Sequence, residues 1–281
     1  MKAYIIGTGS AGCRHSKILN FFGIESIGVT ETKKKLKDLK YPHAFELLIS
    51  LEECNPKPND ILIISSVSSK HTYLCNRFLS HPLIYCEKPG PDIPSANIKV
   101  LFNLRFLDIV EFFLAELDQL ISINLKFHAD AKNWHPEEDY RKSYVFNKKL
   151  GGGCVLTNSH ELDLLHAFGH KFNRDKFRIL EKYIDLNNEE IDASFSYKNK
   201  GFEIKSSLIS DNPTRVYEFT TKAGKYVYDF SVNNSSTSLL NSIDISFYKM
   251  WSSILKNIGC REYKLLPSAE DIQFIHKISK S

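Results

Sequence analysis

Three groups of residues in this sequence have types and spacing suited to chemistry on a bound ligand. In the first, an apolar run from Ala3 to Ile6 passes directly into Gly7-Thr8-Gly9-Ser10-Ala11-Gly12. Between a strand and a helix, these glycines permit a tight turn, close approach of a pyrophosphate and close helix packing, in that order. The pyrophosphate lies at the helix N-terminus, where free N–H groups favour negative charge. We therefore expect a dinucleotide to be bound by Gly7, Gly9, Ser10, Ala11 and Gly12.

An acidic residue follows this motif at the distance typical of dinucleotide-binding folds. Glu31 comes 19 residues after Gly12, just beyond a second predicted strand. A carboxylate there accepts hydrogen bonds from the adenosine ribose and repels a 2′-phosphate, which predicts NAD. The run Lys33-Lys34-Lys35 supports the alternative, NADP, although a solvated helix face is the ordinary interpretation of such a run. Ser66 and His71 complete the expected cofactor-binding residues of this segment.

The second group, Tyr85-Cys86-Glu87-Lys88-Pro89, follows another predicted strand. The carboxyl ends of parallel strands line the ligand crevice of an open α/β sheet. A lysine that is desolvated there has a lowered pKa, which suits it to proton transfer. We expect Glu87 and Lys88 to contact the cofactor and Lys88 to be catalytic, with Pro89 a candidate for a cis peptide bond.

The third group begins with Gly151-Gly152-Gly153 and continues through Thr157 to Asp163. The glycines permit close backbone approach or positive φ, and Ser159 is a candidate N-cap for the helix that follows. His160 and Asp163 are three residues apart and share one helix face. Histidine exchanges protons near neutral pH, so His160 is the second catalytic candidate.

A zinc site is the alternative interpretation of this third group, because His166 and His170 follow it. Their spacing differs from H-E-x-x-H, and no second cluster supplies the remaining ligands. We therefore expect no metal and interpret both histidines as ordinary helix residues.

The elements that must position these groups change in character along the chain. Strands and helices alternate in the first part, which indicates right-handed βαβ units and a doubly wound parallel (Rossmann) sheet. Consecutive strands with short turns follow, which predicts an α+β domain with a mostly antiparallel open sheet. We place a dinucleotide-binding domain at 1–120 and a substrate-binding and oligomerisation domain at 121–281. The predicted strands are 3–6, 26–30, 60–64, 83–86, 122–130, 178–183, 191–197, 202–209, 215–221 and 225–229, and the predicted helices are 12–22, 33–40, 71–79, 109–120, 159–168 and 238–257.

The composition is that of a globular protein, with 281 residues, 42% hydrophobic, 25% charged and a formal net charge of +4. Such a small charge gives no reason to expect nucleic acid as a partner, and no apolar stretch is long enough for a membrane span. The six cysteines are irregularly spaced without C-x-x-C, which argues against a disulfide framework or a zinc ribbon. With no signal peptide visible, we expect a cytoplasmic protein.

Taken in order, the glycine motif, Glu87-Lys88-Pro89 and the triple glycine with His160-x-x-Asp163 resemble the Gfo/Idh/MocA oxidoreductases. The resemblance covers nearly the whole chain. Within it, Asp139 to Tyr144 and Thr157 to Asp163 are similar to a subgroup linked to bacterial surface-sugar synthesis. Two further segments fit the same family, namely Phe102 to Phe106 and Pro267 to Asp271.

The resemblance implies hydride transfer between a nicotinamide and a hydroxyl- or ketone-bearing carbon of a sugar, in a homo-oligomer (dimer or tetramer). The family's usual catalytic groups are the lysine of the Lys-Pro turn, an aspartate after the triple glycine and the following histidine. Lys88 and His160 match, but Thr157 stands in place of the aspartate and cannot act as a carboxylate base. This departure motivates an alternative, a non-catalytic dinucleotide- or sugar-binding regulator. The candidate substrate contacts are Asn103, Arg105, Tyr140, Arg141, Lys142, Thr157 and Asp163.

Overall fold

The chain folds into two compact units, each built on one six-stranded sheet. The computed structural model describes residues 1–32, 34–134, 139–172, 178–185, 191–199, 201–231, 242–258 and 265–280. The first unit comprises Met1–Asn103 with Ser246–Gln273, and the second comprises Leu104–Ile245 with Phe274–Ser281. The predicted domains, 1–120 and 121–281, differ from these units. The first unit ends at Asn103 and also includes the later segment Ser246–Gln273.

The sheet of the first unit is entirely parallel, with strand order β3-β2-β1-β4-β5-β6. This is the doubly wound order of dinucleotide-binding folds, and it confirms the predicted Rossmann sheet. All four residues of β4 are completely buried, as expected for a strand covered on both faces. The strands are β1 (Ala3–Ile6), β2 (Ser26–Thr30), β3 (Leu47–Ser50), β4 (Ile61–Ile64), β5 (Ile84–Glu87) and β6 (Ile98–Leu101).

The second sheet is mixed, with order β12-β11-β7-β10-β9-β8. Only β7 and β10 pair in parallel, and the other four pairings are antiparallel, which confirms the expected character of this sheet. On β7 the buried residues Ile123 and Leu125 alternate with partly exposed ones, so one face packs against the core. The strands are β7 (Leu120–Asp130), β8 (Arg178–Asp185), β9 (Ile191–Asn199), β10 (Phe202–Ser207), β11 (Ile209–Thr221) and β12 (Gly224–Asp229).

The described ranges also contain seven α-helices and several short 3-10 turns. In the second unit, Phe113 of the third helix stacks on Phe219 of β11, with ring centroids 4.6 Å apart. None of the described helices is long and apolar enough to cross a membrane. The helices are α1 (Ser10–Phe21), α2 (His71–Arg77), α3 (Asp108–Ala115), α4 (Cys154–Thr157), α5 (Ser159–Phe172), α6 (Ser242–Lys256) and α7 (Ala269–Lys280).

The helix predicted at 33–40 is wrong. Only Leu36–Asp38 forms a single 3-10 turn, and the apolar run Leu47–Ser50 adds an unpredicted strand to β2. Adjacent lysines repel one another, and a segment ending near a proline is too short to offset the cost of helix nucleation. The helix predicted at 238–257 is present as α6, and residues 238–241 lie outside the described ranges.

Candidate functional site

The glycine motif forms the turn that its spacing predicts. Gly7 has φ +105°, a conformation that L side chains rarely adopt, and a Cβ there would lie 2.6 Å from the backbone of Ser65. A Cβ at Gly12 would lie 2.0 Å from the carbonyl oxygen of Gly7. The predicted roles of Gly7 in the tight turn and of Gly12 in close helix packing are therefore observed as backbone geometry.

The N-terminus of α1 is suited to an anion. Gly9 is its N-cap, no side chain caps the helix, and its first turn contains no acidic residue. A Cβ added at Gly9 would meet nothing within 4 Å, so the space above this residue is open. The N–H groups at the start of a helix lack intrahelical acceptors and lie at the positive end of its dipole. This open cradle fits the pyrophosphate of a dinucleotide.

Lys88 follows directly on the last residue of β5, at the carboxyl edge of the same sheet. Its side chain is partly exposed, and the Lys88–Pro89 peptide is cis, as the sequence suggested. The neighbouring Glu87 is 8% exposed. Its Oε2 accepts a hydrogen bond from the backbone N–H of Lys88 at 3.1 Å. The buried carboxylate thereby holds the backbone from which the lysine side chain projects.

A buried histidine and tryptophan fix the other oxygen of this carboxylate. His15 Nε2 lies 2.8 Å from Glu87 Oε1, and the indole Nε1 of Trp251 donates to His15 Nδ1 at 2.9 Å. An indole N–H can only donate, so His15 Nδ1 is the acceptor and Nε2 carries the proton that is donated to Glu87. His15 and Trp251 are both 0% exposed. No local sequence pattern indicates this network, because His15 and Trp251 are 236 residues apart.

Through Glu87, this network makes the stability of the folded protein vary with pH in the acidic range. Burial alone would raise the pKa of Glu87, but the hydrogen bond from His15 and the charge of Lys88 hold it below its ordinary value of 4.5. A lowered pKa in the folded state contributes stability above pH 4.5, and this contribution is lost as the pH falls from 4.5 through the folded-state pKa. We therefore expect the free energy of unfolding of the native protein to decline more steeply below pH 4.5 than that of Glu87→Gln.

Urea denaturation followed by circular dichroism at a series of pH values measures this difference. Glu46→Gln, at an exposed carboxylate of the same unit, is the control and should follow the native curve. If the free energy of unfolding declined equally with falling pH in the native protein and in Glu87→Gln, the lowered pKa assigned to Glu87 would be contradicted.

The remaining predicted cofactor residues lie in the first unit. His71 is buried, and its Nε2 lies 3.0 Å from the carbonyl oxygen of Ser66. Glu31 follows β2 and forms an ion pair with Lys70, a partner that the sequence analysis did not identify. Lys34 and Lys35 are exposed, and Lys33 lies outside the described residues.

In the second unit the triple glycine shapes the backbone before α4. Gly151 and Gly153 have φ of +81° and +92°, as the glycine run predicts. The hydroxyl of Thr157 donates to the carbonyl oxygen of Val145 at 3.2 Å. The predicted cap is wrong: Ser159 is the first residue of α5, and its buried Oγ has no hydrogen-bond partner among the described atoms.

His160 is half-buried in the first turn of α5. Asp163, one turn along, is buried and accepts two hydrogen bonds of 2.7 Å from Arg105, through Nε and Nη2. Both charged side chains are almost completely buried. Two predicted substrate contacts thus pair with each other, and the geometry gives them a structural role at α5, while direct contact with substrate stays a prediction.

A second buried ion pair anchors the same helix to β11. Glu161 Oε1 accepts hydrogen bonds from Arg215 Nη2 and from the Tyr217 hydroxyl, each at 2.6 Å. The guanidinium of Arg215 also lies over the ring of Phe127, 4.3 Å from its centroid. Burial raises the pKa of Tyr217 well above its ordinary value, so the phenol stays protonated and donates. No local sequence pattern links Glu161 to Arg215, so this network was not predicted.

The other predicted substrate residues have separate environments. Asn103, in the first unit, is buried and donates to Ser246 Oγ at 2.6 Å. Tyr140 packs edge-on against Phe146, 5.6 Å between centroids. Lys142 is exposed, and the side chain of Arg141 lies outside the described part of the structure.

Within the described ranges, no group of three or more histidine, cysteine, aspartate or glutamate side chains is arranged to hold a metal ion. His166 is buried and lies 5.1 Å from the ring of Phe274. The side chain of His170 is not among those described.

Solved dehydrogenase structures share this architecture along the whole chain. A probable dehydrogenase from Thermotoga maritima has a TM-score of 0.66 and 16% identity, covering 100% of this chain and 95% of its own. An oxidoreductase from Agrobacterium radiobacter, in complex with NAD⁺, L-tartaric acid and magnesium, has a TM-score of 0.65 and 14% identity, with coverage of 99% and 94%. The chain has the fold of these solved dehydrogenase structures. The fold that the sequence resemblance implied is confirmed.

This dehydrogenase fold is also shared by a UDP-N-acetylglucosamine 3-dehydrogenase from Acidithiobacillus ferrooxidans. Its TM-score is 0.63 at 11% identity, with coverage of 100% of this chain and 96% of that one. No sequence-family model and no curated protein sequence matches the chain. The likeness to these solved dehydrogenases therefore lies in tertiary structure far more than in residue identity.

Proposed function

We propose that this protein is an NAD(P)-dependent oxidoreductase that acts on a CH–OH group or the corresponding ketone of a sugar or nucleotide sugar. The observation that carries the proposal is the open, carboxylate-free N-terminus of α1 beside the Gly7 turn. The same parallel sheet presents Lys88 at the carboxyl end of β5, separated from β1 only by β4. The shared fold of an NAD⁺ complex and a nucleotide-sugar dehydrogenase supports this assignment.

Residues of the first unit would hold the dinucleotide. The backbone of Gly9, Ser10 and Ala11 would bind the pyrophosphate, and Glu31 would accept hydrogen bonds from the adenosine ribose. Ser66, His71 and Glu87 would line the path towards Lys88. When bound, the nicotinamide supplies hydride transfer to or from carbon.

Lys88 is the proposed general acid–base. Its Nζ would exchange a proton with the substrate oxygen, and Glu87, fixed by His15 and Trp251, would hold its backbone in place. We assign His160 the second proton-handling or polarising role. The first turn of α5, which carries His160, is held by the Arg105–Asp163 and Glu161–Arg215 pairs, and such support keeps a functional side chain in one orientation.

A non-catalytic dinucleotide- or sugar-binding regulator is the second candidate. It is favoured by Thr157, whose hydroxyl carries no charge and is directed to a backbone carbonyl. The two candidates differ in one readout. An enzyme changes the absorbance of the reduced nicotinamide when a sugar substrate is added, whereas a regulator binds without changing it.

Dinucleotide binding is tested with Gly9→Val. Gly9 has φ −79° and ψ −167°, an extended conformation that valine adopts, and open space surrounds its Cβ position. We expect a normal thermal unfolding transition but an NADH affinity at least about tenfold lower, because the side chain occupies the place of the pyrophosphate. Fluorescence titration with NADH measures the affinity. Unchanged binding, or no binding of NADH or NADPH by the native protein, would contradict the proposed function.

We further propose a place in bacterial surface-polysaccharide or related sugar synthesis and a dimeric or tetrameric assembly. These finer assignments rest on the motif resemblance. Testing UDP-N-acetylglucosamine and other nucleotide sugars as substrates, together with light scattering, examines them.

A further inference from the structure

An ion pair lies at the carboxyl edge of the parallel sheet beside the glycine turn. Glu31 directly follows β2, and Lys70 ends a 3-10 turn, Ser68–Lys70, just after β4. β2 and β4 are the two neighbours of β1, the strand that leads into Gly7. The Nζ of Lys70 contacts Oε1 of Glu31. The pair therefore joins side chains from both sides of the strand at which a dinucleotide would bind.

The pair is free to exchange partners. The side chain of Lys70 is 42% exposed and that of Glu31 is 58% exposed. Ion pairs of this kind contribute little to stability, because water screens both charges and two flexible side chains must be ordered. A bound ligand that offers hydroxyls to the carboxylate or a phosphate to the ammonium can thus replace either partner at small cost.

The charge of Lys70 changes what Glu31 can discriminate. An isolated carboxylate at the end of β2 accepts hydrogen bonds from a ribose diol and repels a phosphate on the 2′-oxygen. An ammonium on the same carboxylate offsets the repulsion, and its remaining N–H donors can bind a phosphate. The lysine that contacts Glu31 comes from the loop after β4 rather than from the basic run after β2.

We propose that Lys70 is a specificity-determining residue that lets the adenosine end of the site accept the 2′-phosphate of NADP(H) as well as the diol of NAD(H). With NAD(H), Glu31 binds the ribose hydroxyls. With NADP(H), Lys70 binds the 2′-phosphate. The inference rests on the dinucleotide site of the proposed function and adds the determinant of cofactor preference.

Fluorescence titration with NADH and with NADPH tests it, using the native protein, Lys70→Met, Glu31→Gln and the double variant. We expect Lys70→Met to weaken NADPH binding about tenfold or more while NADH affinity changes less than about twofold. Glu31→Gln should weaken NADH and leave NADPH equal or tighter. The effects of the two single substitutions on the NADPH/NADH ratio should be non-additive in the double variant, because the side chains are in contact.

Lys17→Met is the matched control, since Lys17 is an exposed lysine of α1 in the same unit. It should leave the NADPH/NADH ratio unchanged, and an equal shift would show that net charge rather than Lys70 is responsible. Equal weakening of both dinucleotides by Lys70→Met would place Lys70 on their common part and overturn the inference. So would an unchanged ratio, or a native protein that binds NADH alone. If the native protein binds neither dinucleotide, the proposed function fails as well.

Discussion

Replacing Lys88 with methionine is expected to reduce turnover by about 10²–10⁴-fold while NADH binding stays within a few-fold of normal. Methionine keeps the length of the side chain but has no exchangeable proton. The backbone N–H that binds Glu87 is retained, so the structure around the cis peptide has the same anchor. Turnover is followed as the change in nicotinamide absorbance with UDP-N-acetylglucosamine and other nucleotide sugars, and binding by fluorescence titration.

Lys17→Met is the control for the Lys88 experiment, because Lys17 is an exposed lysine on α1 of the same unit. It should retain native turnover. Turnover of Lys88→Met close to that of the native protein, on a substrate that the native enzyme converts, would remove Lys88 from the proton-transfer step. Equal loss of NADH binding and turnover would instead make Lys88 a cofactor-binding residue.

Arg105→Met is expected to lower the free energy of unfolding by about 3–5 kcal/mol. The substitution leaves the Asp163 carboxylate buried, 1% exposed, without the two hydrogen bonds that now neutralise it. Burial raises the pKa of Asp163, and Arg105 opposes this effect. Without Arg105 the carboxyl should take up a proton more readily, so the loss of stability should become smaller as the pH falls.

The double variant Arg105→Met/Asp163→Leu separates the cost of an unpaired charge from the loss of packing. Replacing both members of a buried pair with apolar side chains is often neutral, so the double variant should recover most of the stability that the single one loses. Urea denaturation followed by circular dichroism measures both. A loss below about 1 kcal/mol in Arg105→Met would contradict the cost assigned to the unpaired carboxylate. No recovery in the double variant would show that the loss comes from packing or from the ion pair itself rather than from the unpaired charge.

The local parts of the candidate site followed from the sequence because each lies within one strand, turn or helix. The glycine motif specifies a turn whose backbone excludes side chains at Gly7 and Gly12. The alternation of strands and helices indicated a parallel sheet, and the observed order β3-β2-β1-β4-β5-β6 is that of a doubly wound fold. The helix predicted at 33–40 was wrong, since a short segment with adjacent lysines does not offset the cost of helix nucleation.

The sequence by itself determined the turn that shapes the dinucleotide cradle and the strand end that carries Lys88, because φ preferences and hydrophobic periodicity act over a few neighbouring residues. Only the tertiary structure decided which side chains meet: Trp251 with His15, Arg105 with Asp163, and Lys70 with Glu31. These contacts join residues that are 236, 58 and 39 positions apart. Their formation depends on sheet order and packing, which no short segment of the sequence specifies.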